Sequence, residues 1–124
     1  MCLLASGVQA PLAARPAQTI QPIKAWTALA SWYGPHFQGR TTASGQPFDM
    51  LAATAAHAWL PFGSLIRVVN TRNGHSQLVR INDRGPFVDD RELDVSFLVA
   101  SRLDLIGRGV SRVRIELLEV PQRP

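Results

Sequence analysis

Apolar and polar residues alternate most regularly in Leu65-Ile66-Arg67-Val68-Val69-Asn70 and again in Gln77-Leu78-Val79-Arg80-Ile81-Asn82-Asp83, with Thr71-Arg72-Asn73-Gly74 at the start of the break between them. A period of two in runs rich in β-branched residues suits half-buried strands, and Asn73-Gly74 offers the positive φ that a tight hairpin turn needs. The pattern predicts a β-hairpin. In its second strand Val79 and Ile81 share one face, Leu78 and Arg80 take the other, and Asp83 continues the Val79/Ile81 face. A carboxylate is thereby aimed along an apolar face at a strand end.

The other elements are shorter. Ala28-Leu29-Ala30-Ser31-Trp32-Tyr33-Gly34 reads as a first strand that stops at glycine, and Val113, Ile115 and Leu117 alternate with Arg112, Arg114 and Glu116 in a closing strand before Pro121. Val95, Leu98, Val99 and Leu103 recur at helical spacing, with Asp94 placed to cap the start and Gly107 to stop the end. Pro47 and Pro61 confine the alanine-rich stretch from Asp49 to His57, so a short turn followed by a strand is expected there. Many short strands and little helix favour a small barrel. The expected division is a signal-like segment and Pro/Ala-rich tether over residues 1–25, the barrel over 26–120 and a tail over 121–124.

Composition narrows the partners only a little. Of the 13 cations against 9 anions, 12 are arginine, which suits carboxylate or phosphate contacts, but they are scattered singly rather than clustered. Nucleic acid is therefore not an expected partner. No apolar stretch is long enough to span a bilayer. Met1 to Ala10 looks like the tail of a truncated export signal, or simply like a loose N-terminus. The single cysteine, Cys2, forbids an internal disulfide, and His36, His57 and His75 have no spacing that makes a metal face, so neither metal nor cofactor is expected.

Most chemistry-bearing motifs are absent. There is no Walker loop, Gly107-Arg108-Gly109 completes no phosphate-binding fingerprint, and no Gly-x-Ser-x-Gly elbow presents a nucleophile. What remains is Asn82-Asp83-Arg84-Gly85-Pro86-Phe87, where a strand ends in polar residues and turns sharply into an aromatic. Two readings of it stand on the residues alone. In one, Asp83 pairs with Arg80 or Arg84 and the polar side chains satisfy the loop backbone. In the other, Asp83 is a carboxyl in a partly apolar cleft that acts as general acid on a sugar linkage.

A longer set of motifs resembles the rare lipoprotein A family: Ala30-Ser31-Trp32-Tyr33-Gly34, Gly39-Arg40-Thr41-Thr42-Ala43-Ser44-Gly45, Phe48-Asp49-Met50, Thr54-Ala55-Ala56-His57 and Leu60-Pro61-Phe62-Gly63. Val79 to Phe87 and Arg91-Glu92-Leu93-Asp94-Val95-Ser96 continue it in the same order. The resemblance implies a mainly β fold, a six-stranded double-psi β-barrel with one or two short helices. It also implies export to the bacterial periplasm or cell envelope and lytic transglycosylase activity on peptidoglycan glycan strands poor in stem peptide, with division-site proteins as further partners. Such an enzyme leaves 1,6-anhydromuramyl ends. A lipid anchor at Cys2 is not expected, because no Leu-Ala-Gly precedes it.

By that resemblance Asp83 is the proton shuttle and His57 a second catalytic position. Gln46, Trp32, Tyr33, Arg84 and Asn82 are the candidate substrate contacts. One carboxyl suffices for both proton steps, first giving a proton to the departing oxygen and then taking one from the muramyl 6-hydroxyl. Gln46 stands where the family pattern has Glu, and an amide cannot exchange a proton near neutral pH. That departure supports the alternative of an expansin-like barrel that binds glycan without cutting it. Asp49 and Asp94 read as caps rather than as catalytic groups.

Overall fold

The computed structural model describes residues 21–88 and 90–122, so the expected export segment and Cys2 lie outside the described residues. Six strands close a barrel in the order β1-β5-β2-β4-β3-β6, with β1 at Lys24–Trp32, β2 at Thr54–His57, β3 at Leu65–Asn70, β4 at Ser76–Arg84, β5 at Leu93–Val95 and β6 at Val110–Glu119. The β1/β5 and β2/β4 pairs are parallel and the other four antiparallel. One helix, α1 at Phe97–Leu103, and a 3₁₀ turn at Pro35–Phe37 complete the described secondary structure. Among the described residues no helix is long and apolar enough to cross a membrane.

Alternation builds the interior. Ile66 and Val68 of β3, Val79 and Ile81 of β4 and Val113 and Ile115 of β6 are all at most 1% exposed and meet in one cluster. Ala30 of β1 and Ala55 of β2 join the same cluster. The predicted hairpin is β3 paired with β4, but the chain reverses through a wider loop than a two-residue turn. Asn70 closes that loop, its carbonyl accepting from Gly74 N at 2.8 Å and its N–H donating to the His75 carbonyl at 2.9 Å, with Gly74 alone in it at positive φ.

Two helix signals fall elsewhere than expected. Ser96, not Asp94, caps α1, its side chain accepting from Val99 N at 3.4 Å. The helix stops at Asp104, itself left-handed at φ 61, rather than at Gly107. Asp94 is free of capping because β5 runs through it. Strand β1 begins at Lys24, within the stretch read as tether.

Candidate functional site

The site grows from one irregularity. Strand β2 lies between β4 and β5, and its pairing with β4 shifts register: Ala55 faces Ile81 whereas Ala56 faces Asp83, leaving Asn82 as an extra residue. Such a bulge bends the strand and re-aims its side chains. On its other edge Ala56 faces Asp94, which in turn faces Ser31 of β1. Asp83 and Asp94 are thus in one rung on either side of a single alanine, two strand spacings or about 9–10 Å apart at Cα. The small methyl of Ala56 leaves the space between them open.

That space is a groove of about 200 Å³ lined by Tyr33, Phe37, Ala56, Asp83, Arg84, Phe87 and Asp94, among others. Asp83 makes no ion pair among the described residues. Its Oδ1 instead accepts from Ala43 N at 2.8 Å and Arg84 N at 2.9 Å, which fixes the carboxylate without covering it. Asp94 has a different environment. Its Oδ1 accepts from the Ser31 hydroxyl at 3.1 Å, and burial, reinforced by the charge of Asp83, lifts its pKa from 3.8 to about 6 against the opposing pull of Ser31 and Arg91. Burial thus sets Asp94 apart as a carboxyl that keeps its proton to a higher pH than an ordinary aspartate does.

Tyr33 completes the groove. Its ring stacks on Phe48 at 4.5 Å, and its hydroxyl is buried with no hydrogen-bond partner. Burial and the two neighbouring carboxylates push the phenol pKa upward, so it stays a neutral donor. Trp32, the adjacent candidate, does not line the groove: it packs on Phe97 at 5.9 Å and against the core. Neighbours on a strand point to opposite faces, and only one of this pair can reach the groove.

His57 is also elsewhere than at a reacting centre. It is wholly buried; Nδ1 accepts from Trp59 N at 3.1 Å and Leu60 N at 3.0 Å, and Nε2 lies 2.7 Å from Glu92 Oε2. A ring nitrogen that accepts two N–H bonds carries no proton, so Nε2 is the donor and the imidazole is neutral. Burial, with the charge of Arg84 adding to it, lowers its pKa in spite of Glu92. Glu92 Oε2 also accepts from Trp26 Nε1 at 2.6 Å. These bonds hold His57 in place at the end of β2.

Arg84 shares that role. Its Nη1 donates to the carbonyls of His57 at 3.0 Å and Leu60 at 2.7 Å, and the guanidinium lies over the Phe62 ring, 4.4 Å from its centroid. Removing His57 should loosen this whole corner. His57→Ala is expected to cost about 3 kcal/mol, from a cavity and two buried N–H groups left without an acceptor, as read by urea unfolding. Imidazole NMR of the wild type should show an Nε2-protonated ring that charges at lower pH than a free imidazole does; a ring that charges at or above the free value contradicts the assignment.

Gln46 and Asn82 line a neighbouring recess with Ser44, Phe62 and Arg80 rather than the carboxyl groove itself. A wider depression of about 670 Å³ lies over Trp59, Arg91, Glu92 and Arg112 and contains neither Asp83 nor Asp94. Sequence reasoning missed Asp94 and Glu92 as site residues. The signal that finds Asp94 is the strand order, which brings β5 beside β2. Among the described residues no three His, Cys, Asp or Glu side chains are grouped to hold a metal ion.

The family model described as lytic transglycolase matches residues 26–115. The endolytic peptidoglycan transglycosylase RlpA of Neisseria meningitidis is 51% identical over 90 residues, covering 73% of this chain and 38% of that protein. The probable counterpart in Synechocystis is 48% identical over 103 residues, covering 83% of this chain and 32% of its own length. The chain thus spans about a third of the length of these relatives. Among solved structures, Streptomyces papain inhibitor superposes with a TM-score of 0.64 at 21% identity, over 81% of this chain and 99% of that one. The Clavibacter michiganensis expansin does so with 0.61 at 18%, over 82% and 54%. These two likenesses speak for the fold alone.

Proposed function

The chain belongs to the lytic transglycolase family of the rare lipoprotein A type, and from that membership we propose that it is an endolytic peptidoglycan transglycosylase whose proton carrier is the Asp83/Asp94 pair. The observation that carries this reading is the placement of the two carboxyls across Ala56 in an open groove. Below about pH 6 Asp94 holds a proton on the far side of Ala56 from Asp83. Asp83 handles that proton at the scissile bond, and Asp94 keeps it available.

The proton passes to the oxygen between the two sugars as the bond from that oxygen to the muramyl anomeric carbon breaks. Positive charge then grows on the sugar beside a pair that has just become more negative, which stabilises it. The muramyl 6-hydroxyl adds to the same carbon and its proton returns to Asp83. The proton lent is the proton recovered, so no water is consumed and a 1,6-anhydro ring closes. Tyr33, whose hydroxyl is buried, shapes the wall of the groove.

Such a substrate lies outside the cytoplasm, so on this reading the protein works in the periplasm or envelope with glycan strands as its partner. The direct test incubates purified protein with peptidoglycan stripped of stem peptides and looks for anhydromuramyl ends by mass spectrometry. Their absence with the barrel intact overturns the reading. A second reading, a barrel that grips glycan without cutting, is favoured by Gln46, whose amide cannot replace a carboxyl. Gln46 lines the recess rather than the groove, so on the first reading the wild type is expected to cleave before any Gln46→Glu substitution is made. A protein that binds sacculi but cleaves only after Gln46→Glu supports the second reading instead.

A further inference from the structure

Strand β1 has nine residues and outruns β5, which has three. It pairs with β6 from Lys24 to Ser31, whereas β5 covers its other edge only from Ala30 to Trp32. Just before that pairing, Glu92 N donates to the Leu29 carbonyl at 3.0 Å, so Leu29 turns its backbone groups toward the β5 side. By period two, Ala25 and Thr27 turn their N–H and C=O groups the same way, short of where β5 begins. Among the described residues no loop supplies them with a backbone partner. Natural edges are blunted by proline, lysine or a bulge, and Ala25-Trp26-Thr27-Ala28 contains none of these.

The wide depression of about 670 Å³ lies against this edge, with Thr27, Ala28 and Leu29 in its wall and Trp59, Arg91 and Arg112 around them. Trp59 is 58% exposed yet firmly held, its ring stacked on Trp26 at 5.6 Å and edge-on to His57 at 4.8 Å. A fixed indole with open surface beside an unpaired edge suits an apolar side chain. The two faces of the strand differ: Ala28 is buried on the core side, while Thr27 is exposed and Leu29 half-buried on the outer side. Arg112 faces Leu29 across the β1/β6 ladder and so belongs to the outer side. Arg91 and Arg112 are exposed and form no ion pair among the described residues. Of the acids in the same depression, Glu92 already accepts from His57 and Trp26, and Asp90 pairs with neither arginine. A strand added beside β1 would lie two spacings, about 10 Å, from β6, a gap that an arginine and an acidic side chain span together.

We propose that this edge is a docking site for an extended peptide of a partner protein, which adds as a strand beside β1 with acidic residues on its outer face and apolar residues on the face toward Trp59. Backbone bonds to Ala25 and Thr27 set the register, Trp59 takes an apolar side chain and Arg112 a carboxylate. A glycan could stack on Trp59 but carries no alternating N–H and C=O groups to satisfy the edge. The site is separate from the carboxyl groove, since neither Asp83 nor Asp94 lines the depression, and it stands whether or not glycan is cleaved.

Amide exchange in the isotope-labelled full chain, read by NMR with and without acetyl-Val-Glu-Val-Glu-Val-amide, tests it. The peptide is expected to slow exchange at Ala25 and Thr27 by at least about tenfold and to shift the Trp59 indole signal. Its lysine counterpart, acetyl-Val-Lys-Val-Lys-Val-amide, should bind at least about tenfold more weakly. Arg112→Glu, an exposed change on the outer face, should invert that preference. No slowing at these two amides, equal binding of both peptides, or a preference that survives Arg112→Glu overturns the proposal. So does slowing produced by chitotetraose, which marks a glycan site, or slowing that grows with protein concentration in the absence of peptide, which marks a second copy as the occupant. Exchange already slow in the free chain at every concentration shows an edge covered by the chain itself and overturns it too. The wild-type comparison needs no variant and stands even if Arg112→Glu does not fold.

Discussion

Asp83→Asn is expected to lower the rate of anhydromuramyl formation by about 10³-fold or more while leaving the barrel folded. The loss is chemical rather than structural, because an asparagine Oδ1 can still accept the N–H bonds that Ala43 and Arg84 donate to the carboxylate. What it cannot do is give up a proton and take one back. The alternative reading of this loop is met in part: Asp83 satisfies two backbone N–H groups, but among the described residues it forms no ion pair, Arg80 pairing with Glu119 at 3.4 Å and Arg84 donating to two carbonyls. Product assays alongside thermal unfolding distinguish the cases. A variant that unfolds more easily but cleaves at the wild-type rate per folded molecule refutes Asp83 as proton carrier.

Asp94→Asn carries the second large effect and separates the pair from a lone carboxyl. If Asp94 keeps the shared proton available, wild-type cleavage should decline above about pH 6. Without Asp94 the active range should shift toward acid, and the rate at pH 7 should fall by roughly 10²-fold. An unchanged pH profile would show that Asp94 takes no part. The same substitution should stabilise the protein at neutral pH. Burial raises the pKa of Asp94 from 3.8 to about 6, so between those values the folded chain holds a proton that the unfolded chain has released. Folding is consequently weakened as the pH rises through that window, by on the order of 2–3 kcal/mol above it. Asparagine has no charge to bury, and its Oδ1 still accepts from Ser31. Urea unfolding should therefore show Asp94→Asn more stable than wild type at pH 7 and equal to it near pH 4. A carboxyl retained at the expense of stability is the expected mark of a functional group.

Much of the barrel is legible in local pattern. The alternation in β3 and β4 identified the hairpin, and Val113, Ile115 and Leu117 identified the heart of β6, because each of those strands has one face in the core. Asp49 also behaves as read, its Oδ1 accepting from Leu51 N at 2.9 Å in a turn rather than entering the groove. The misread residue is Asp94, whose surroundings depend on a distant segment. Asp94 precedes a helix and looks like its cap, yet the hydrogen bonds of a three-residue strand hold it, and Ser96 caps instead. His57 looks like a catalytic histidine from its motif. Only the folded chain reveals that two backbone N–H groups and Glu92, 35 residues away, use up both ring nitrogens.

By itself, then, the sequence determined the strands other than β5, where the polar strand end at Asp83 falls, and which family's motifs it carries. It could do so because strand formation and turn chemistry depend on neighbours a few residues apart. The tertiary structure alone decided that β2 separates β4 from β5, that Ala56 is the spacer between two carboxyls, and that Asn82 is buried without a donor. Those facts follow from strand order, a register shift and desolvation, and each of them comes into being only when segments far apart in the chain close into one barrel.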